Sequence, residues 1–231
     1  MNMTQRSYEK ELLDRDDIPF GEILTTMQEL NVVNTFLGGH AITRNGVAAF
    51  LNKSGSGNRL SVAEIGSGGG DNLVAIHDFL KKKNVVCSLT GIDIKMECIE
   101  YARQHVKEEV NWICSDYRAV RWPEGKPDII FSSLFCHHFT DDELIGQLKW
   151  LKENSNTGFF INDLHRHPVA YYSIKLLTKI FSRSRLVKND APLSVKRSFR
   201  RADWKRLLAA AGITAYRIRW QWAFRYLICV S

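Results

Sequence analysis

The sequence predicts an α/β fold in which one mostly parallel sheet carries helices on both faces. Three observations predict it. Leu60 to Ile65 is a short apolar run, followed at once by a glycine cluster and then by apolar residues at helical spacing. Four further runs of strand length alternate with helical stretches as far as residue 162. Asp93, Asp116, Ser133 and Asp163 each follow the end of such a run, so a parallel sheet gathers them along one edge, where open α/β sheets bind ligands. At 231 residues, 45% of them hydrophobic and 25% charged, the chain can bury one large core, and it is read as a single domain over residues 1–231.

In order along the chain, residues 1–20 are charged and irregular and read as a mobile arm or a short helix. Residues 21–51 place Ile23, Leu24, Met27, Leu30, Val33 and Leu37 at helical spacing, and Gly38-Gly39 interrupts the pattern. Two or three helices are therefore expected before the first strand. With the surface loop Lys53 to Asn58 they make an N-terminal arm and helical cap over 1–58, and the core spans 59–231.

After the glycines, Leu73, Ile76, Phe79 and Leu80 mark a helix that ends at Lys81-Lys82-Lys83. V-V-C-S-L-T-G-I-D is the second strand and closes on Asp93. A helix from Lys95 to Val106 and a third strand, Val110 to Cys114, follow. Asp128 opens the fourth strand. Thr140-Asp141-Asp142-Glu143 is a capping box that starts the next helix. Gly158 to Asn162 is the fifth strand. Residues 168–190 read as one basic amphipathic helix, packed through Tyr172, Leu176, Leu177, Ile180 and Phe181, in a basic helical insertion over 166–200. Ser194 to Phe199 reads as a linker. The helix Ala202 to Ala211 stops at Gly212, and Ile213 to Trp220 with Trp222 to Val230 form a closing antiparallel hairpin.

The glycine turn carries the chemical information. Glycines between a strand and a helix let a ligand approach the backbone, and the new helix points free N–H groups at it. A dinucleotide fingerprint requires a sixth-position glycine after Gly66, but Asp71 stands there and its carboxylate repels a pyrophosphate. The sequence instead shows Glu64-x-Gly66-x-Gly68-x-Gly70, an acidic strand end suited to a ligand with a positive group. This resembles motif I of the class I S-adenosylmethionine-dependent methyltransferases. The resemblance implies their Rossmann-like fold, with a seven-stranded sheet whose last strand is antiparallel. It also implies S-adenosyl-L-methionine as cofactor, held by Glu64, Gly66, Ser67, Gly68 and Gly70. Asp93 and Ile94, at the end of the second strand, match the family's ribose-binding position. Asp116 fits the adenine-reading acid, Tyr117 is expected against the ring, and Ser133 and Leu134 pass beside the methionine end.

Methyl transfer needs alignment of donor and acceptor, and a base when the acceptor is a hydroxyl. Histidine titrates in the right range. The candidates are His137 and His138 after the fourth strand, and His165 after the fifth, with Asp163 placed to pair with His165. Adjacent histidines tend to point apart, so no metal site is expected. The L-G-G-H cap, H-H-F, N-D-L-H-R and S-V-K-R-S-F segments resemble a narrower group: methyltransferases of the ubiquinone and menaquinone type and those tailoring polyketides and phenolic lipids. Ser67 and Glu64 stand where many relatives carry Cys and Asp. The resemblance implies a small aromatic, phenolic, quinone or polyketide-like acceptor and O-methylation.

Charge bounds the alternatives. The net charge is +7, and Arg166 to Arg206 holds twelve Lys or Arg against only Asp190 and Asp203. Such a segment suits an acidic partner or an anionic surface, so peripheral membrane contact and an RNA or protein methyltransferase are alternatives. No N-P-P-Y-like tetrapeptide follows the fourth strand, and no nucleic-acid partner is expected. A non-catalytic nucleotide-binding protein is the remaining class. The five cysteines are scattered without a C-x-x-C, and the first residues lack a signal peptide's apolar core, so a cytoplasmic protein is expected. Nothing in the sequence addresses oligomeric state.

Overall fold

The structure, a computed structural model, describes residues 3–15, 17–51 and 59–231. The predicted surface loop at 53–58 lies outside the described residues. Seven strands form one sheet: β1 (Arg59–Ile65), β2 (Val86–Asp93), β3 (Val110–Cys114), β4 (Ile129–Ser133), β5 (Gly158–Leu164), β6 (Tyr216–Gln221) and β7 (Arg225–Val230). Their spatial order is β3-β2-β1-β4-β5-β7-β6. All neighbouring pairs are parallel except those made by β7, which runs antiparallel to both β5 and β6. The strand order reverses between β1 and β4, and that switch point opens a crevice at their C-terminal ends.

Eight α-helices accompany these strands among the described residues: α1 (Phe20–Phe36), α2 (Gly39–Ala48), α3 (Asp71–Lys81), α4 (Met96–His105), α5 (Asp141–Asn154), α6 (Pro168–Phe181), α7 (Arg185–Arg197) and α8 (Arg201–Ala210). Strand side chains alternate, so β5 sends Phe159 and Ile161 to one face and Phe160 to the other. The first face packs with Leu144, Leu148 and Leu151 of α5 and Trp204, Leu207 and Leu208 of α8. The second packs with Ile42 and Val47 of α2 and Leu73, Ile76 and Leu80 of α3. Each such side chain, taken wholly out of water, contributes about 1.5–3 kcal/mol. The predicted capping box is present: Thr140 Oγ1 accepts from Glu143 N, and Glu143 accepts from Thr140 N. The helix stop after α8 is also where expected, with Gly212 N and Ile213 N returning to the carbonyls of Ala209 and Leu208.

Three expectations change. The basic helix predicted over 168–190 is two helices, α6 and α7, separated at Ser182 to Ser184. Ser184 Oγ accepts from Val187 N and starts the second helix, which an apolar-period reading cannot see. Residues 194–197, read as linker, are therefore helical. The predicted apolar side of α6 is not packed: Tyr172, Leu176, Ile180 and Phe181 are all exposed, Phe181 at 75%, while Ala170, Tyr171 and Thr178 are buried.

The N-terminal arm takes the short-helix alternative, with a 3-10 turn at Leu12–Asp14 that lies across α7. Ser7 N donates to Lys196 O, Leu12 N and Leu13 N donate to the Asp190 carboxylate, and Arg6 bonds Asp141 and the carbonyls of Phe139 and Arg197. The arm thus satisfies otherwise unpaired groups of the insertion, which holds it in place.

Candidate active site

The β1–α3 turn packs directly against the segment after β4. A Cβ on Gly66, whose φ is +68°, would overlap the Phe135 ring, so only glycine allows this approach. A Cβ on Gly68 would meet nothing within 4 Å, so the backbone there faces open space. Gly66, Ser67, Gly68 and Gly69 line a cavity of about 1460 Å³ that also reaches Asp93, Ile94, Ser133, Leu134, His137 and His138. Leu134 holds a left-handed backbone, φ +53°, with its N–H bonded to Asn162 O. Non-glycine residues in that region are strained, and such strain gathers at functional sites.

Two carboxylates organise the turn. Asp93 accepts from Gly68 N at 2.8 Å through one oxygen and from Lys95 N at 3.0 Å through the other. Burial raises its pKa, and these donors oppose that rise. Each oxygen keeps a second lone pair for hydroxyl donors in the cavity. Glu64 is 1% exposed and is not part of the cavity wall. Its Oε1 accepts from Asn72 Nδ2 at 3.0 Å, and Asn72 does line the cavity. Burial, with Asp71 nearby, pushes the Glu64 carboxyl well above the usual range. Glu64 therefore reaches the cavity only through Asn72. Gly70 likewise lies behind the turn, against Trp112.

The adenine-side candidates are placed differently from expectation. Asp116 caps the 3-10 turn Tyr117–Ala119 and pairs with Arg118, which holds its carboxyl below the usual range by hydrogen bonding. Tyr117 is buried edge-on to Phe135, Phe139 and Trp150. Neither lines the cavity. Tyr117 is amphipathic, and the core on its side of the sheet offers a more complete apolar contact than the open edge.

The histidines also pair otherwise than predicted. Asp163 does not meet His165. Its fully buried Oδ1 takes His137 Nδ1 at 2.8 Å and Leu164 N at 2.7 Å. Burial works to raise the Asp163 pKa, but His137 and the other donors outweigh it and the carboxyl lies below its usual range. An ionised carboxylate only accepts, so His137 carries its proton on Nδ1 and leaves Nε2 as the basic nitrogen. His138 Nδ1 meets Asp14 Oδ1 at 2.8 Å. His165 lies outside the cavity wall, its ring tilted against those of Tyr226, Phe224 and His167, where burial lowers its pKa to about 4. The backbone at His165 continues the ladder to Phe224 O and its ring lies against Tyr226, whereas the turn after β4 delivers His137 directly to Asp163.

Glu11 and Asp14 line this end of the cavity, Arg197 stands beside them, and sequence reasoning missed all three. Arg197, 4% exposed, donates to the carbonyls of His137, His138 and Glu9 and so sets the backbone that carries both imidazoles. Glu11 Oε1 stands 3.7 Å from His137 Nε2, and Oε2 stands 3.9 Å from His138 Nε2. One ligand atom from each of the three lies within 4.8 Å of the others, a spacing open to a cation, while the Arg197 guanidinium 3.7 Å from Glu11 already brings positive charge there. No motif flags Glu11, since it is one charged residue among many in the arm.

Burial pushes Glu11 up to a pKa of about 7. The folded chain then keeps a proton that the unfolded chain has released between pH 4.5 and 7, so stability falls as pH rises through that window. Glu11→Gln is expected to reduce the change in urea midpoint between pH 5 and pH 7.5. Equal changes in both proteins would mean that Glu11 is ionised when folded.

Residues 62–181 match the family model described as a methyltransferase domain. No curated protein matches the sequence. Among solved structures, the plantazolicin methyltransferase BpumL with SAH superposes with a TM-score of 0.68 at 16% identity, covering 89% of each chain. Human N-acetylserotonin methyltransferase with SAM gives 0.64 at 18%, covering 97% of this chain and 63% of that one. Magnesium protoporphyrin IX methyltransferase (ChlM) from Synechocystis PCC 6803 with SAH gives 0.54 at 16%, covering 86% of each. With the glycine turn and Asp93 at the switch point of this sheet and more than half of the chain matching the family model, the protein belongs to the methyltransferase domain family.

Proposed function

We propose that the chain is an S-adenosylmethionine-dependent methyltransferase that O-methylates a small aromatic, phenolic, quinone or polyketide-like acceptor, with His137 as general base. The observation that carries this reading is the His137–Asp163 dyad, which opens on the same cavity as the glycine turn and Asp93. The residues fit the cofactor: the backbone at Gly68 faces open space, and the Asp93 oxygens retain lone pairs for two ribose hydroxyls. When bound, the cofactor supplies a methyl group already activated by its sulfonium.

In this reading Asp93 orients the sugar, with Ile94 beside it. Ser67, Ser133 and Leu134 flank the methionine portion. Asn72, held by Glu64, presents a polar edge near the ammonium. His137 Nε2 takes the acceptor's hydroxyl proton while Asp163 steadies the imidazolium that forms. His138, paired with the less buried Asp14, positions this segment and does not transfer the proton.

The exposed apolar side of α6 supports a lipophilic acceptor and leaves contact with a lipid surface open to it. No helix among the described residues is long and apolar enough to cross a membrane. The basic segment gives little support to an RNA acceptor. Arg166 and Arg197 are buried on backbone carbonyls, Arg206 pairs with Asp141, and Arg185 pairs with Glu22.

The test is incubation with methyl-labelled cofactor and an extract of the source cells. Label in a small methyl ether supports the proposal. Label in RNA or protein overturns the acceptor class, and tight cofactor binding without any labelled product favours a binding protein.

A further inference from the structure

Arg225 opens β7 and is 2% exposed, yet it lines the cavity. Its Nη2 donates to Asn34 Oδ1 at 2.8 Å. Its Nε and Nη1 have no acceptor among the described residues. No carboxylate among the described residues comes within ion-pair distance of it, although Asp163 and Asp71 act on it from farther away. Burial lowers its pKa only to about 10, so it stays charged at neutral pH. A buried guanidinium with two unpaired nitrogens is costly unless something else completes it.

The surroundings preserve this arrangement. A Cβ on Gly39 would stand 2.8 Å from Asn34 Oδ1 and 3.0 Å from Arg225 Nη1, so glycine is what lets α2 cover the pair. β7 lies three strands from β1, about 14 Å across the sheet. Arg225 is therefore rooted three strands away from the glycine turn, next in sequence to the hairpin residues Trp222 and Phe224, which line the same cavity. A single positive charge in a largely apolar wall, with two acids nearby, matches a singly charged planar anion better than a dianion.

We propose that Arg225, braced by Asn34, receives a carboxylate in this cavity, and that the carboxylate belongs to the methyl acceptor. This rests on the methyltransferase reading. The same chemistry is present in the methionine carboxylate of the cofactor, and the experiment separates the two sources.

Wild-type, Arg225→Gln and Arg225→Lys proteins are titrated calorimetrically with S-adenosylhomocysteine and with its decarboxylated analogue. The S-adenosylhomocysteine-loaded proteins are then titrated with 2-naphthoate and 2-naphthol. The expected result is a tenfold or greater preference of the wild type for naphthoate, lost in R225Q and reduced in R225K, with S-adenosylhomocysteine affinity changed by less than twofold. If R225Q instead loses tenfold for S-adenosylhomocysteine and nothing for the decarboxylated analogue, the carboxylate receptor stands but the acceptor assignment is overturned. If neither ligand responds to R225Q, or if wild type does not distinguish naphthoate from naphthol and R225K binds S-adenosylhomocysteine normally, the proposal fails. The wild-type comparison and R225K, which keeps the charge, cover the case in which R225Q does not fold. Wild type that binds naphthoate but no S-adenosylhomocysteine would sink the methyltransferase reading and leave the role of Arg225 standing.

Discussion

Asp93→Ala is expected to lower affinity for S-adenosylhomocysteine more than tenfold. Hydrogen bonds to a charged acceptor contribute about 1.5–3 kcal/mol each, and two ribose hydroxyls are proposed to share this carboxylate. The loss has a second origin. Asp93 also accepts from Gly68 N and Lys95 N, so the alanine leaves both N–H groups without their partner and loosens the β1–α3 turn from the end of β2. Asp93→Asn separates the two effects. It preserves an acceptor for one of the two backbone N–H groups, so the difference between the alanine and asparagine variants reports how much of the loss comes from the loosened turn. Calorimetry on all three proteins checks this, and an alanine variant with wild-type affinity would remove Asp93 from cofactor binding.

Asp163→Asn is expected to lower kcat by about a hundredfold or more, a typical contribution for an oriented general base. The asparagine is nearly the same size, so packing at this fully buried position is retained, but an amide neither fixes the Nδ1-protonated tautomer nor steadies an imidazolium. Affinity for S-adenosylhomocysteine should stay within twofold, because Asp163 is not part of the glycine-turn wall. The measurement is steady-state turnover on the acceptor identified by methyl labelling, beside calorimetry. Equal kcat in both proteins would show that proton transfer does not pass through this dyad. A stability signature accompanies the variant. The folded pKa of Asp163 lies below its unfolded value, so its contribution is present above about pH 4 and disappears as pH falls through the folded value. The asparagine variant should lack that acid-dependent loss.

How far each feature could be read depends on how far apart its parts lie in the chain. The β1 strand, the glycine turn and the start of α3 are contiguous, so residue type and spacing carry their geometry. The same holds for the α5 capping box, which closes over four residues. The α6–α7 break was missed because one hydroxyl on one backbone N–H leaves no period in the apolar pattern. The position of Tyr117 after β3 predicts a ring against the adenine. Which way its ring turns is decided by Phe135, Phe139 and Trp150, which come from two other segments.

Taken alone, the sequence determined the alternation of strands and helices, the position of the ligand crevice and the placing of Asp93 on its border, because those follow from local periodicity and from the shared polarity of parallel strands. Only the tertiary structure decided the chemistry of the far half of the cavity. There, Glu11 and Asp14 reach His137 and His138 across more than a hundred residues, Asp163 takes His137 in place of His165, and Arg225 is left with unpaired donors. The physical reason is that a buried polar group takes whichever partner folding brings within 3 Å, and chain proximity says nothing about which partner that is.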